Sequence, residues 1–392
     1  MTRFEDMTVR MRLHHLLVCL AMAAAFLTGP AWSQAPVPAP ALAAKAWYLV
    51  DTTSGQVLVA ESADQRMEPA ALTKLMTAYV AFAAVRQGLL KLDQAVAVPD
   101  SILKRVSKQE ARTFLQPDLP VTVEELLKGV AVQSGNDAAI VLAEAVAGTE
   151  EAFVERMNRQ ARQLGLTNTQ YRNVTGQSEP DHYSSARDIA VLAGRLIQDF
   201  PELYRYYALK DFSYNKVSQP NRNRLLWLDP TVDGMQTGQG ESAGFCLAAS
   251  GKRGDRRLLS VVLGAASDNA RTQESLKLLN YGFQNFDTVR VYKKDDAVVT
   301  PEVWKGTAKQ IRLGMARDVW LTVPKGQVDR LKPMLERRQP LVAPIQAGQE
   351  VGRMRLMLND KPVVDLPVVA LETVESGSMF GRAWDSIRLW FK

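Results

Sequence analysis

The spacing of apolar residues changes along the chain, and each change indicates a different element. Residues 46–51 and 56–60 are strand-like around the turn Thr53-Ser54-Gly55, which predicts a β-hairpin. Residues 70–85 are almost all apolar, which predicts a buried helix, and Pro69 suits its first turn because a proline there loses no hydrogen bond. This order predicts a sheet with helices packed on it.

Later patterns extend this architecture. Thr122, followed by Glu124 and Glu125, is typical of a capping box that starts a helix, here over 121–132. The other predicted helices cover 137–147, 150–166, 185–199 and 272–286, and predicted strands cover 245–250 and 258–264. After Phe286, short β segments predict a separate all-β module, a sandwich, with strands at 289–292, 309–313, 319–323, 351–358 and 362–369.

Composition and charge narrow the class of protein. The chain has 392 residues, 46% of them hydrophobic and 23% charged, which is ordinary for a soluble globular protein and long enough for two domains. Its net charge of +6 suits an anionic surface such as a membrane or a cell-wall polymer. The sequence contains no basic cluster with interleaved aromatic residues and no zinc or helix-turn-helix signature, so nucleic acid is not an expected partner.

The N-terminal residues are typical of a secretory signal peptide. Arg3, Arg10 and Arg12 precede an apolar run, 16–27, that is too short to span a bilayer. Ala31-Trp32-Ser33 fits a cleavage site, so we expect cleavage near Ser33. The alternative is an uncleaved anchor.

Cysteine and histidine are scarce beyond that segment. Export implies an oxidising compartment, yet Cys246 is the single cysteine left once Cys19 is removed, so we expect no internal disulfide. His182 is the single histidine left, so we expect no metal site. We also expect no cofactor.

The C-terminal residues 378–392 predict a basic amphipathic helix. Phe380, Trp384, Ile387 and Trp390 recur at helical spacing, and Arg388 lies among the polar positions. Such a helix suits the interface of a membrane. The alternative is a terminal helix that packs on its own protein.

Lys74 is unusual because it is a lysine in an otherwise apolar helix. An ammonium is costly to bury without a partner, so Lys74 either extends to solvent at the helix start or serves as a catalytic base. The second interpretation requires a nucleophile three residues earlier, on the same face of the helix. That position is Ala71, which has none.

Three short motifs occur in a specific order. They are Ala71-Leu72-Thr73-Lys74 at a helix start, Ser134-Gly135-Asn136 before a helix, and Gln236-Thr237-Gly238 before a strand. Distinctive stretches around them are Glu68-Pro69-Ala70, Gln133-Ser134-Gly135-Asn136-Asp137-Ala138, Ser184-Ser185-Ala186-Arg187-Asp188, Asn221-Arg222-Asn223-Arg224-Leu225-Leu226 and Val232-Asp233-Gly234-Met235. Together they resemble the low-molecular-weight penicillin-binding proteins, which are periplasmic D-alanyl-D-alanine carboxypeptidases.

The resemblance covers essentially the whole mature chain. It implies an α/β fold of the β-lactamase/transpeptidase type, a sheet with flanking helices and a helical subdomain, followed by a small all-β C-terminal sandwich domain. With the patterns above it predicts the following domains: a signal peptide over 1–33, a Pro/Ala linker over 34–44, a D,D-carboxypeptidase domain over 45–286, a β-rich domain over 287–375 and a membrane-association helix over 376–392. The expected location is the periplasm, with peripheral attachment to the inner membrane.

The resemblance also implies catalytic roles. In that family a serine at the position of Ala71 attacks the terminal D-Ala-D-Ala amide of the peptidoglycan stem peptide and forms an acyl-enzyme, and the position of Lys74 accepts its proton. Ser134 would then shuttle a proton to the leaving amine, and Asn136 would orient the substrate backbone.

Substrate binding is implied for the third motif. A lysine at the position of Gln236 would hold the substrate carboxylate together with Thr237, and Gly238 completes that motif. This chain has glutamine there, which removes a charge-assisted contact worth about 1.5–3 kcal/mol. The alanine at position 71 removes covalent catalysis altogether. A laboratory substitution of Ala71 alone would leave Gln236 unexplained.

We therefore expect a catalytically silent or severely impaired family member. It would bind stem peptides weakly, or bind cell-wall enzymes, in a regulatory or scaffolding role. One alternative is an active carboxypeptidase that uses another nucleophile, such as Ser134. Another is a purely structural interaction protein. Because no second lysine is near, we also expect Lys74 to stay charged and to be held by Ser134 and Asn136.

Overall fold

The structure is a computed structural model that describes residues 37–117 and 119–390. The predicted signal peptide over 1–33, with Cys19, lies outside the described residues. The described residues from Pro40 onward belong to one compact unit. Within the described ranges, no helix is both long and apolar enough to cross a membrane.

An antiparallel sheet forms the centre of the first half of this unit. Its strands are β1 (Ala46–Asp51) and β2 (Gln56–Glu61), and, later in the chain, β7 (Val232–Gly234), β8 (Thr237–Gly240), β9 (Gly244–Arg253) and β10 (Arg256–Ala265). The spatial order is β2-β1-β10-β9-β7, and β8 also pairs with β9. Two short pairs lie outside this sheet: β3 (Ala95–Val96) with β4 (Val121–Thr122), and β5 (Asp211–Tyr214) with β6 (Val217–Pro220).

The helices cover both faces of the sheet and build a helical region beside it. They are α1 (Lys74–Arg86), α2 (Asp100–Arg105), α3 (Val123–Lys128), α4 (Asn136–Ala147), α5 (Glu150–Gln163), α6 (Ala186–Asp199), α7 (Pro201–Tyr204), α8 (Leu225–Leu228) and α9 (Asp268–Asn285). Single turns of 3₁₀-helix cover Ala70–Thr73 and Arg205–Ala208, and a π-helical turn covers Gly129–Gln133.

The central strand β10 shows why the sheet needs helices on two sides. Successive strand residues point to opposite faces. Leu258 and Val262 join the apolar cluster that contains Leu278 of α9, whereas Val261 joins the cluster that contains Ile189 of α6. Both faces are therefore buried, which explains the continuous apolar run in this strand.

Helix α1 lies at the middle of the helical region. It packs against α4, α5 and α6, and ten of its thirteen residues are buried. A helix that is apolar on all sides is typical of a core position. The packing of these helices around α1 encloses Lys74, the first residue of α1.

The C-terminal part of the unit is all-β until its last helix. Its strands are β11 (Phe286–Tyr292), β12 (Ala297–Val299), β13 (Val303–Trp304), β14 (Leu313–Gly314), β15 (Val319–Pro324), β16 (Leu331–Arg337), β17 (Leu341–Val342), β18 (Glu350–Leu358) and β19 (Lys361–Ala370), with a 3₁₀ turn at Val328–Arg330. A five-stranded sheet has the order β12-β14-β19-β18-β16, and β11–β15 and β13–β17 form separate pairs. Helix α10 (Met379–Trp390) ends the described chain.

Three sequence-based boundaries need correction. Of the predicted strand 309–313, only Leu313 lies in a strand, the two-residue β14. The last helix of the first half starts at Asp268, not at 272, because Ser267 caps it by accepting a hydrogen bond from the Ala270 N–H. The motif Gln236-Thr237-Gly238, placed before a strand by the sequence, itself runs into a strand, β8 (Thr237–Gly240). The two glycines and four-residue length of β8 hide the strand pattern.

Candidate functional site

The first site motif lies where a 3₁₀ turn passes into α1. Ala70 has a φ of 47°, in the left-handed region, and Ala71 follows it in the turn. Gly176 packs so closely here that a Cβ on it would come within 1.8 Å of the Ala70 carbonyl oxygen. Contact with the loop that contains Gly176, about a hundred residues later in the chain, thus fixes the position of Ala71. Only glycine fits at position 176.

Lys74 is only 1% exposed. Its Nζ donates to the backbone carbonyl of Thr175 over 2.8 Å. Burial, reinforced by the positive charge of Arg222, lowers the pKa of Lys74 to about 7, although Glu110 and Asp137 oppose the shift. The expectation that Ser134 and Asn136 hold Lys74 is therefore wrong, and the lowered pKa means that Lys74 is not firmly charged at neutral pH as expected. Burial lowers the pKa of Lys74 by itself, without the repulsion of a second lysine.

The second motif closes the π-helical turn before α4. Ser134 adopts a left-handed φ of 58°, and Asn136 begins the helix. The backbone N–H of Asn136 donates to the Ala111 carbonyl over 2.8 Å, and its side-chain amide donates to Glu110 Oε2 over 2.5 Å. Asn136 is thus tied to the 109–111 segment by both backbone and side chain.

The third motif runs along β8, at the edge of the sheet beside the Ala71 turn. Gln236 is 2% exposed, and its Nε2 donates to Ser134 Oγ over 2.9 Å. A Cβ on Gly238 would lie 3.3 Å from the Ala71 nitrogen, so the strand and the turn are almost in contact. The three motifs therefore meet, as the family resemblance implies.

A cleft of about 930 Å³ opens at this meeting point. The predicted site residues that line it are Ala71, Lys74, Ser134, Asn136, Thr237 and Gly238. Gln236 does not line the cleft and is buried behind Ser134. The side chain of Thr73 points away, and its hydroxyl is hydrogen-bonded to His182 Nε2 over 2.9 Å.

Sequence reasoning assigned no role to the other charged residues that line the same cleft, among them Glu110, Arg222 and Arg271. Arg271, 6% exposed, donates from Nη1 to the Gly238 carbonyl over 2.7 Å, and Arg222 donates from Nε to the Gln133 carbonyl over 2.8 Å. Burial lowers the pKa of both guanidiniums. Arg222 lies inside a stretch that carried the family resemblance, but Arg271 and Glu110 have no local pattern that marks them.

Comparison with known proteins agrees with this geometry. The family profile described as D-alanyl-D-alanine carboxypeptidase matches residues 33–267, which is more than half of the chain. The chain belongs to the D-alanyl-D-alanine carboxypeptidase family. A second profile, the C-terminal domain of penicillin-binding protein 5, matches residues 286–376.

Individual relatives of this carboxypeptidase family extend the match to nearly the full chain. D-alanyl-D-alanine carboxypeptidase DacC of Escherichia coli (strain K12) is 44% identical over 360 residues, 91% of this chain and 90% of that protein. DacA of the same strain is 38% identical over 357 residues, 90% of this chain and 89% of that protein. The crystal structure of penicillin binding protein 5 from Haemophilus influenzae superposes with a TM-score of 0.84 at 38% identity, covering 87% of this chain and all of that one. The α/β fold with a β-rich C-terminal part is thereby confirmed.

Proposed function

We propose that this family member binds peptidoglycan stem peptides ending in D-alanyl-D-alanine without forming an acyl-enzyme, and that it regulates or scaffolds cell-wall enzymes. The observation that carries the proposal is the residue at the nucleophile position, Ala71, which lines the cleft without a hydroxyl. The substrate class comes from the names of the relatives. The geometry of the cleft supports a preserved binding site, because its three motifs still meet.

The hydrogen bond from Gln236 to Ser134 supports the same proposal. A family lysine at position 236 would place a second ammonium behind Ser134, whereas the amide here is neutral. The Ser134 hydroxyl oxygen already accepts a hydrogen bond from that amide. The guanidiniums of Arg222 and Arg271, which also line the cleft, offer positive charge to an anionic peptide terminus.

The test combines binding with turnover. Titration calorimetry with Nα,Nε-diacetyl-L-Lys-D-Ala-D-Ala should give saturable binding, while an assay for free D-alanine and labelling by a fluorescent penicillin should both give none above a no-protein control. D-alanine release at a rate comparable to DacC measured alongside, or the absence of any peptide binding, would refute the proposal.

A second candidate is an active carboxypeptidase that uses Ser134 as nucleophile. It is favoured by the placement of Ser134 and Lys74 in one cleft. Covalent penicillin labelling that disappears in Ser134→Ala would support it, and absence of label in the wild type would eliminate it.

We also propose that the chain is exported and attaches peripherally to the inner membrane through α10. The apolar residues of that helix face solvent, with Phe380 91%, Trp384 63% and Trp390 85% exposed. Its polar side contacts the β-rich part, because Asp385 accepts a hydrogen bond from the Lys305 N–H over 2.7 Å. This orientation supports a membrane-facing apolar side over a helix packed on its own protein.

Vesicle sedimentation tests the attachment. The mature chain should sediment with vesicles that contain anionic phospholipid, and a form truncated after Glu375 should stay in the supernatant. Equal sedimentation of both forms would remove α10 from this role. N-terminal sequencing of the periplasmic form tests the predicted cleavage near Ser33.

A further inference from the structure

Glu110 is a carboxylate in the cleft to which neither the sequence nor the family resemblance assigned a role. Its side chain is half-buried and lines the cleft together with Lys74 and Asn136. A carboxylate placed among the groups of a binding cleft must be balanced by a hydrogen-bond donor or by a positive charge.

The carboxylate of Glu110 is held in one orientation. Its Oε1 accepts from the Ser107 backbone N–H over 3.1 Å, and its Oε2 accepts from the Asn136 side-chain amide over 2.5 Å. The neighbouring Ala111 carbonyl accepts from the Asn136 backbone N–H over 2.8 Å. These bonds fix the carboxylate before any ligand arrives, so little side-chain entropy remains to be lost on binding.

The charge of Glu110 is not neutralised by an ion pair. In the part of the chain that the structure describes, no lysine, arginine or histidine forms a salt bridge with it. Lys74 attracts it electrostatically, but the Lys74 ammonium donates to the Thr175 carbonyl, and burial favours its neutral form. An ionised carboxylate offers about four acceptor positions, and the described residues use two of those on Glu110.

We propose that Glu110 is a specificity-determining residue that binds an ammonium group carried by the peptide ligand. This inference rests on the proposed function, since it concerns the ligand of the same cleft. The matching ligand class is a D-Ala-D-Ala peptide with a free side-chain amine, as opposed to one whose amine is acylated. An ammonium supplies donors for the unused acceptor positions of Glu110 and forms with it an ion pair that none of the described lysines, arginines or histidines forms.

Two peptides that differ only at the amine test the proposal. Calorimetry would compare Nα-acetyl-L-Lys-D-Ala-D-Ala, which has a free ε-amine, with its Nε-acetylated counterpart. The wild type should bind the free amine at least about fivefold more tightly at low salt, since a partly solvated charge pair gives a modest gain. In Glu110→Gln the ratio of the two dissociation constants should fall to about one.

The controls separate this role from a general effect of charge or folding. Glu110→Gln can keep its bond to Asn136 if the Asn136 amide rotates to present its oxygen, and thermal melting should confirm an unchanged fold. Glu241→Gln makes the same change of charge at an exposed residue of the same cleft and should keep the wild-type ratio. The ratio cancels any influence of Glu110 on Lys74, because both peptides experience it.

The possible failures can be told apart. Equal binding of the two peptides by the wild type, or a preference that survives Glu110→Gln, overturns the role of Glu110 and leaves the proposed function intact. If the preference for the free amine is lost in Glu241→Gln but kept in Glu110→Gln, another carboxylate binds the ammonium, and the role of Glu110 is again overturned. Failure of both peptides to bind overturns the proposed function itself.

Discussion

Gln236 donates a hydrogen bond from its buried side-chain amide to the hydroxyl oxygen of Ser134, over 2.9 Å. This bond joins the segment that leads into β8 to the loop before α4. The two segments form facing walls of the cleft. The oxygen of the same amide, Oε1, has no hydrogen-bond partner among the described residues. Position 236 thus keeps the contact between the walls, but without a cation.

Restoring the two altered positions should restore covalent chemistry. Ala71→Ser combined with Gln236→Lys should be labelled by a fluorescent penicillin, whereas the wild type should not. Ala71→Ser places a hydroxyl one helical turn from a lysine whose pKa of about 7 allows it to accept a proton. In subtilisin, loss of the nucleophile costs about 10⁶ in kcat, so the difference in labelling should be large.

The matched control for this experiment removes the base. Ala71→Ser with Gln236→Lys and Lys74→Met should lose labelling, because the hydroxyl has no proton acceptor. If the double revertant remains unlabelled although it is folded, the cleft has lost more than its two reactive groups.

The burial of Lys74 should appear in the pH dependence of stability. Its pKa is about 7 in the folded chain and near 10.5 when exposed, so the unfolded state binds more protons between these values. Below pH 7 the buried charge costs the full difference, about 5 kcal/mol, and the penalty disappears as pH rises to 10.5. Lys74→Met should therefore be most stabilising, relative to the wild type, at pH 6.5, and progressively less so at pH 8 and 9.5.

Urea unfolding of the two proteins at those three pH values measures this difference. Comparing Lys74→Met with the wild type subtracts all other titrating groups. A difference in the free energy of unfolding that does not change with pH would show that Lys74 titrates normally in the folded chain. NMR titration of the Lys74 side chain gives the pKa directly.

The sequence predicted most of the framework because local patterns and burial coincide there. Thr122 was expected to form a capping box, and its hydroxyl and Glu125 do bond reciprocally. The apolar runs 245–250 and 258–264 predict strands, and β9 and β10 contain them; the runs are continuous because both faces of the sheet are covered. The three site motifs were expected to meet, and the contacts of Gln236 with Ser134 and of Gly238 with the Ala71 turn bring them together.

The hydrogen-bond partners within the cleft could not be predicted from the sequence. Lys74 donates to the backbone carbonyl of Thr175. Because every residue has a backbone carbonyl, the residue type does not mark this acceptor. Ser134 and Asn136 were expected to hold Lys74, but each has another partner, Gln236 and Glu110 respectively. Residues far apart in the chain compete for the same few polar groups, and only the packed structure decides between them.

His182 should make the protein less stable in mild acid. Its Nδ1 accepts from the Arg172 N–H, so Nε2 carries the proton and donates to Thr73. Burial, with a smaller contribution from Arg172, lowers the pKa of His182 from 6.5 to about 4, although Glu179 and Glu68 oppose it. The unfolded state then binds more protons between pH 4 and 6.5, so stability should fall by about 3 kcal/mol as pH drops through that range.

His182→Gln is the variant that isolates this effect. A glutamine can accept from the Arg172 N–H and donate to Thr73 without titrating. The free energy of unfolding of the wild type, minus that of the variant, should decline from pH 6.5 to pH 4.5 in urea titrations. A constant difference over this range would contradict the assignment.

Asp51 should be essential to the junction between the sheet and the β-rich part. It is fully buried in β1, and its Oδ2 accepts from Arg256 Nε over 2.8 Å, from Thr288 of β11 and from Thr322 of β15. Asp51→Ala removes the carboxylate that balances the Arg256 guanidinium, which should cost about 3–5 kcal/mol of unfolding free energy.

The control is Asp64→Ala, which breaks an exposed pair with Arg187 and should cost less than about 1 kcal/mol. Equal losses in the two variants, measured by urea unfolding, would mean that the buried junction contributes no more than a surface ion pair.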